Sequence, residues 1–158
     1  MAQLAQRINS LWPNHQYRAF TDSAPVLEKA LGLKAGLGWI GKNTLLIDPD
    51  DGSWFFLGEI YTNAPLPIDQ PLDQDHCGKC SACITVCPTD AIVAPGKLDA
   101  RKCISYLTIE HKDAIPEALR APIGNRVFGC DDCQLFCPWN REAPSTEETD
   151  FAPRHGLA

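Results

Sequence analysis

Leu4, Ile8 and Leu11 fall one helical turn apart among polar neighbours, which predicts an amphipathic helix ended by Pro13. Residues 18–22 then read as a short extended piece. A second helix is expected over residues 25–35, since Pro25 suits a first turn and Gly36 suits a stop. Residues 44–47 and 54–62 are apolar, β-prone runs, and the turn-forming Asp48-Pro-Asp-Asp-Gly52 between them predicts a hairpin. Residues 64–74 break the pattern with Pro65, Pro67 and Pro71 and read as a linker. Further on, residues 90–93 predict a short strand. Asp99 predicts the N-cap of a helix that carries Cys103, with Leu107 four residues on along the same face. A strand–helix–strand skeleton is expected there. Residues 142–158 are polar, acidic and proline-containing, and read as a frayed tail. Nothing approaches the ~18 consecutive apolar residues of a membrane helix, so no membrane association is expected.

Composition narrows this picture. The chain has 158 residues, 44% of them hydrophobic, enough for a core and too many for a wholly disordered chain. Its formal net charge is -6, unevenly laid out. Residues 44–76 hold seven acidic side chains (Asp48, Asp50, Asp51, Glu59, Asp69, Asp73, Asp75) and no basic one, which reads as a solvated acidic face. No broad basic footprint exists for gripping phosphates indiscriminately, so any nucleic-acid contact must be local. The opening Met-Ala-Gln-Leu-Ala-Gln-Arg lacks a secretory apolar stretch, and the expected location is the cytoplasm. That compartment keeps thiols reduced, so eight cysteines there are not a disulfide framework.

Their spacing supplies another use. Cys77, Cys80, Cys83 and Cys87, followed by Pro88, form C-x2-C-x2-C-x3-C-P, the bacterial ferredoxin run. Three thiolates two residues apart can wrap one cubane on a tight loop, while the fourth points away to another cluster. Cys130, Cys133 and Cys137 with Pro138 repeat the second half of the motif, with a first ligand displaced upstream to Cys103. Cross-ligation then gives one [4Fe–4S] cluster to Cys77, Cys80, Cys83 and Cys137, and a second to Cys87, Cys103, Cys130 and Cys133. Both prolines stop the local helix and turn the chain off the cluster. Zinc is the rival ligand, but it ordinarily takes two CxxC pairs across a spacer, without a third ligand and a Cys-Pro. An insertion of 26 residues separates Cys103 from Cys130.

Gly36-Leu-Gly38-Trp-Ile-Gly41-Lys42 matches both G-x-G-x-x-G and G-x4-G-K. Either motif needs a strand before the loop and a helix after it, the reverse of the order expected here. Asn43 also stands where a P-loop has its Mg2+-binding hydroxyl. Three glycines in six residues instead suggest close approach of the backbone to something flat or bulky. Asp22, read from the residues alone, is a capping side chain before the second helix. His15, His76, His111 and His155 share no ligand spacing, and Trp12, Trp39, Trp54 and Trp139 are too scattered for a stacking platform.

Five stretches make the chain resemble the epoxyqueuosine reductase family over about residues 4–155. They are Phe20-Thr-Asp-Ser-Ala-Pro-Val-Leu-Glu28, Ala35-Gly-Leu-Gly-Trp-Ile-Gly-Lys42, the run from Cys77 to Pro88, Arg101-Lys-Cys-Ile-Ser-Tyr-Leu-Thr-Ile-Glu110, and Gly129-Cys-Asp-Asp-Cys-Gln-Leu-Phe-Cys-Pro-Trp-Asn-Arg141. The resemblance implies an α+β protein. A partial cobalamin-dependent reductase domain (1–63) and a linker (64–76) would precede a dicluster ferredoxin-like module (77–141) and the tail (142–158). The whole would correspond to the central portion of longer family members. Implied cofactors are two [4Fe–4S] clusters and cobalamin. The implied reaction reduces epoxyqueuosine in tRNA to queuosine, with electrons from an external donor to a monomeric enzyme. Asp22 becomes the proton donor, and Asp22, Gly41, Lys42, Cys130 and Asp131 become cobalamin contacts. Arg101, Lys102, Arg126 and Arg141 are the expected local phosphate contacts. The alternative is a dicluster electron-transfer module without catalysis of its own, docking through residues 1–63.

Overall fold

A computed structural model describes residues 1–72 and 75–152; Asp73, the end of the expected linker and the tail from residue 153, with His155, lie outside them. Helix α1 (Ala2–Leu11) forms where the period-3.6 pattern places it and ends before Pro13. Its buried residue, however, is Ala5, while Leu4 and Leu11 face solvent. Strand β1 (Tyr17–Phe20) pairs antiparallel with β4 (Glu59–Thr62). Helix α2 (Glu28–Lys34) begins three residues later than expected, because residues 21–25 bend and Leu27 takes the N-cap position. Asp22 therefore does not cap it.

The expected hairpin of residues 44–47 with 54–62 does not form. Strand β3 (Leu46–Ile47) pairs backwards with β2 (Trp39–Ile40), and only an isolated bridge joins Asp48 to Gly52. The turn itself is made: Asp48 Oδ1 accepts from the amides of Asp50 (2.8 Å) and Asp51 (2.9 Å). Beyond it, Asn140 captures the chain by accepting from the Ser53 amide at 2.6 Å. A side chain from the cysteine-rich part thus draws residue 53 away from β3, freeing 59–62 for β1. The glycines of the 36–42 loop serve this packing. A Cβ at Gly38 would strike the carbonyl of Ile47, and one at Gly36, whose φ is 71°, would strike that of Gln70.

The cysteine-rich part runs α3 (Ala82–Val86), β5 (Ile92–Ala94), β6 (Lys97–Leu98), a 3-10 turn (Ala100–Lys102), α4 (Ile104–Ile109), α5 (Glu117–Ile123) and α6 (Asp132–Leu135). Strand β5 pairs with β6, so the second strand precedes the helix, and the expected strand–helix–strand order is corrected to strand–strand–helix. A sharp turn at Gly96 (φ 69°) closes this hairpin before a helix can intervene. The 26-residue insertion builds a core of its own. Ile104, Leu107 and Ile123 are buried together, with Ile115, Leu119 and Cys130 packed against them. A second core joins Trp39 and Ile47 of the β2–β3 hairpin to Cys137, with Cys77 and Trp139 alongside. The tail holds a 3-10 turn (Thr149–Phe151), and Phe151 stacks on Phe56 at 6.0 Å. No helix among the described residues is long and apolar enough to cross a membrane.

Candidate functional site

Short-range backbone bonds fix the cysteines. The Cys80 amide donates to the Cys77 carbonyl (2.9 Å), and Asp75 accepts from the Cys77 amide (2.8 Å), curling the first loop ahead of α3. Cys87 leaves α3 in extended conformation, and its sulfur accepts from the Ala91 amide at 3.2 Å. Cys103 lies between the 3-10 turn and α4. Asp99 caps that turn, accepting from the Arg101 amide at 3.2 Å, but the expected helix carrying Cys103 is corrected: the turn ends at Lys102 and Cys103 is extended, itself the N-cap of α4. Helix α4 positions the last cluster of cysteines through hydroxyls: Ser105 Oγ donates to the Cys130 carbonyl (3.0 Å) and accepts from its amide (3.1 Å), while Thr108 accepts from Gly129. Helices α3 and α6 pack against each other.

The eight thiols face two cavities. Cys77, Cys80, Cys83 and Cys137 line the first, of about 30 Å³, with Lys42, Asn43, Ile47, Pro138 and Trp139. Cys87, Cys103, Cys130 and Cys133 line the second, of about 440 Å³. The leading electrostatic couplings follow the same grouping, although Cys83 also acts on Cys133 across it. Burial pushes the Cys83 thiol up, and the next largest influence on it is Cys137. Burial also pushes Cys133 up to about 12, reinforced first by Cys130 and Cys103. Thiols so raised bind a metal by surrendering their protons to it.

An iron–sulfur cube fits this donor set. Among the described residues no three His, Cys, Asp or Glu side chains converge closely enough for a single ion. Thiols that ring a cavity suit a cube, which spreads its ligands over four corners, better than zinc, which gathers them at ~2.3 Å from one point. Trp39 adds a second sign: its indole Nε1–H is buried in the core that holds Cys77 and Cys137, yet has no acceptor in the protein. A buried donor needs a partner, and the sulfur of a bound cluster would supply one.

Other candidates fall in different places. Asp22 is exposed on the β1–α2 loop with φ 49°, a left-handed conformation that aspartate tolerates better than most residues. Gly41 is buried against Ile47 and Asn43. The Lys42 ammonium donates to the carbonyls of Gly78 and Cys80. Asp131 is exposed and, with Cys130, lines the second cavity. These residues fit the cluster sites, but by themselves they do not enclose a corrin. Of the expected phosphate contacts, Arg101 is committed to Asp99 (2.9 Å) and Arg126 to Asp132 (2.5 Å), which leaves Lys102 and Arg141 the better placed. The Arg126–Asp132 pair lies beside the second cavity.

The sequence reading passed over three residues. Asn43, noted only as a missing hydroxyl, is 4% exposed, lines both cavities and directs Nδ2 toward the Cys133 carbonyl at 3.4 Å. Trp39 and Trp139, exactly 100 positions apart in no visible motif, meet edge-on at 4.9 Å, with His76 against both. Only the flanking of cysteine and glycine motifs by tryptophan hinted at this wall.

Residues 76–140 match the family of 4Fe-4S double cluster binding domains. An epoxyqueuosine reductase of Pseudomonas aeruginosa is 61% identical over 157 residues, covering 99% of this chain and 44% of its own length. One of Xanthomonas campestris is 62% identical with the same coverage. The chain resembles epoxyqueuosine reductase along nearly its whole length. A crystal structure of selenomethionine-labelled epoxyqueuosine reductase agrees at a TM-score of 0.90 and 36% identity, covering 96% of this chain and 40% of that one. Another epoxyqueuosine reductase, solved with an epoxyqueuosine-modified tRNA stem loop, agrees at 0.84 and 36% identity, covering 92% and 39%. A reductive dehalogenase whose structure suggests a mechanism for B12-dependent dehalogenation agrees at 0.61 and 25% identity, covering 87% and 20%. The chain thus spans less than half the length of the epoxyqueuosine reductases it matches.

Proposed function

We propose that this chain is the cluster-bearing part of an epoxyqueuosine reductase, which converts epoxyqueuosine in tRNA to queuosine. The supporting observation is the interleaving of eight thiols into two sets of four across two cavities, in a chain 61% identical to such a reductase. Cys77, Cys80, Cys83 and Cys137 hold one [4Fe–4S] cluster; Cys87, Cys103, Cys130 and Cys133 hold the other. When bound, two such clusters pass electrons singly, and a cobalamin, which enters through the likeness to the reductases and the dehalogenase, supplies the carbon–oxygen chemistry. An external donor feeds a monomeric protein in the cytoplasm.

The chain's own task is to hold those groups and to deliver a proton. Opening the epoxide leaves negative charge on its oxygen as the carbon–oxygen bond breaks. A carboxylic acid within reach can protonate that oxygen, and with two electrons delivered in all, a second proton lets it leave as water as the remaining carbon–oxygen bond breaks and the alkene forms. Asp22 has that role. It is exposed on a loop and does not cap α2, so its carboxyl is available to a substrate. The tRNA backbone meets Lys102 and Arg141 locally.

The test uses the full-length protein, purified without oxygen and assayed on an epoxyqueuosine-modified stem loop. Two clusters require about eight iron and eight acid-labile sulfide per chain. Asp22→Asn should retain that iron and its corrin spectrum while turnover falls about 10²-fold or more. A colourless protein would overturn the cluster assignment. A brown protein without turnover would reduce the chain to an electron-transfer module, and full turnover in Asp22→Asn would remove that residue from its role.

A further inference from the structure

The loop carrying Cys77 and Cys80 is clasped from outside the cysteine-rich part. Lys42, half-buried, donates from its ammonium to the carbonyls of Gly78 (2.6 Å) and Cys80 (2.8 Å) and lines the first cavity beside all four thiols. Its own carbonyl accepts from the Gly96 amide (3.0 Å), so the backbone is anchored as well. Both acceptors of the ammonium are neutral. The bonds that fix the charge therefore do not cancel it. Two other charged groups belong to this loop, and both are exposed: Asp75, which accepts from the Cys77 amide, and Lys79, which lies between the two clasped residues. Water screens exposed charges far more than half-buried ones.

A cube held by four thiolates gains one unit of negative charge on reduction. A fixed cation at its edge stabilises the reduced form more than the oxidised one. Resting on the reading that the first cavity holds a [4Fe–4S] cube, we propose that Lys42 sets the reduction potential of that cube, raising it through its fixed ammonium. Lys79, of the same charge and on the same loop, does not. At the second cavity Lys29 also donates to a neutral carbonyl, that of Thr44 (2.9 Å), but it is exposed where Lys42 is half-buried, and the guanidinium beside that cavity, Arg126, is bound to Asp132. The 36–42 loop is then an electrostatic part of the first cluster site, and its Gly-Lys is explained without any phosphate.

The experiment is a redox titration of the full-length, cluster-loaded protein, followed by electron paramagnetic resonance. Lys42→Gln keeps an amide donor for the two carbonyls and removes the charge. One of the two midpoint potentials should fall by about 59 mV, a tenfold change in a one-electron equilibrium, while the other holds. Lys42→Arg should stay near the wild-type value, and Lys79→Gln should leave both potentials in place. The proposal is overturned if neither potential moves in Lys42→Gln, if both move together, or if Lys79→Gln has an equal effect. Lys42→Met serves as a second neutral variant; loss of the cube in both would make the lysine a clasp only and overturn the proposal. A wild-type protein without about eight iron defeats the cluster reading itself. Eight iron with an unmoved potential in Lys42→Gln defeats only the role of Lys42.

Discussion

The two thiol cavities are built from one repeated motif, yet they are enclosed by different means. The first is small and closed by residues from outside the motif: Ile47 and Lys42 of the N-terminal segment and Trp139 line it, with Trp39 packed behind Trp139. The second is wide, with Ile92, Leu98 and Ile104 in its lining and the polar Lys29, Thr44 and Ser105 among them. Its Cys130, with the preceding Gly129, is held by hydroxyls of α4, which belong to the insertion between Cys103 and Cys130. A ferredoxin motif therefore specifies ligands but not surroundings. The N-terminal segment lines both cavities, the first through Lys42 and Ile47, the second through Lys29 and Thr44, and cannot be treated as a mere neighbour of the clusters.

The strongest way to break the comparison is to delete the crossed ligands. Cys137 belongs by chain order with Cys130 and Cys133, but it is buried in the core of the first cavity. Cys87 is its counterpart, grouped by chain order with Cys77 to Cys83 but lining the second cavity. Cys137→Ser and Cys87→Ser should each lose about half of eight iron atoms and leave clusters with different resonance spectra. If both variants keep the same spectrum, the thiols do not interleave.

A smaller effect comes from Asn140, which joins the first cavity's hairpin to α6. Its Oδ1 accepts from the Ser53 amide (2.6 Å), and its Nδ2 donates to Ser53 Oγ (3.0 Å) and to the Gln134 carbonyl (2.8 Å). Asn140→Ala strands a part-buried amide and carbonyl, which costs about 1–3 kcal/mol. Urea unfolding should show that loss, and a chelator should remove iron faster from the first site than from the second. Equal acceleration at both sites would mean that Asn140 stabilises the chain as a whole.

Most local signals in the sequence were read well, the turn at Gly96 excepted, and partners distant in the chain were not. The turn at Asp48–Gly52, the stop at Pro13 and the Asp99 cap each depend on a few neighbouring residues, and all three form. The hairpin failed because the pairing of β4 is decided by Asn140, 87 residues away from Ser53, which no local propensity registers. The start of α2 slipped for the opposite reason. Pro25 permits a first turn but does not compel one, and the bends at 21–25 hold Asp22 in left-handed backbone. The grouping of the cysteines around two cavities was legible because it follows from their spacing. The aromatic wall and Asn43 were illegible because long-range packing alone brings them to the thiols.

The finest test concerns acid and the second cavity. Asp99 caps the turn leading to Cys103, and its carboxylate accepts from Nε and Nη2 of Arg101, both at 2.9 Å. The hydrogen-bonded guanidinium of Arg101 holds the Asp99 carboxyl below its ordinary value of 3.8. An acid lowered in the folded state binds fewer protons there than when unfolded, so its contribution is complete above the unfolded value and disappears as pH falls through the folded one. Arg101 is 86% exposed, so salt screens the pair and the effect is small. Asp99→Asn should therefore speed chelator-driven iron loss from the second site modestly at pH 6. The ratio to the wild-type rate should close toward one as pH falls below 3.8 and through the lowered folded value, where Asp99 loses its charge in the folded protein as well. A ratio that persists undiminished in acid would show that the cap acts through the neutral hydrogen bond to the Arg101 amide instead of through charge. A matching change at the first site would show that the two cavities share a single unit of local stability, despite their different walls.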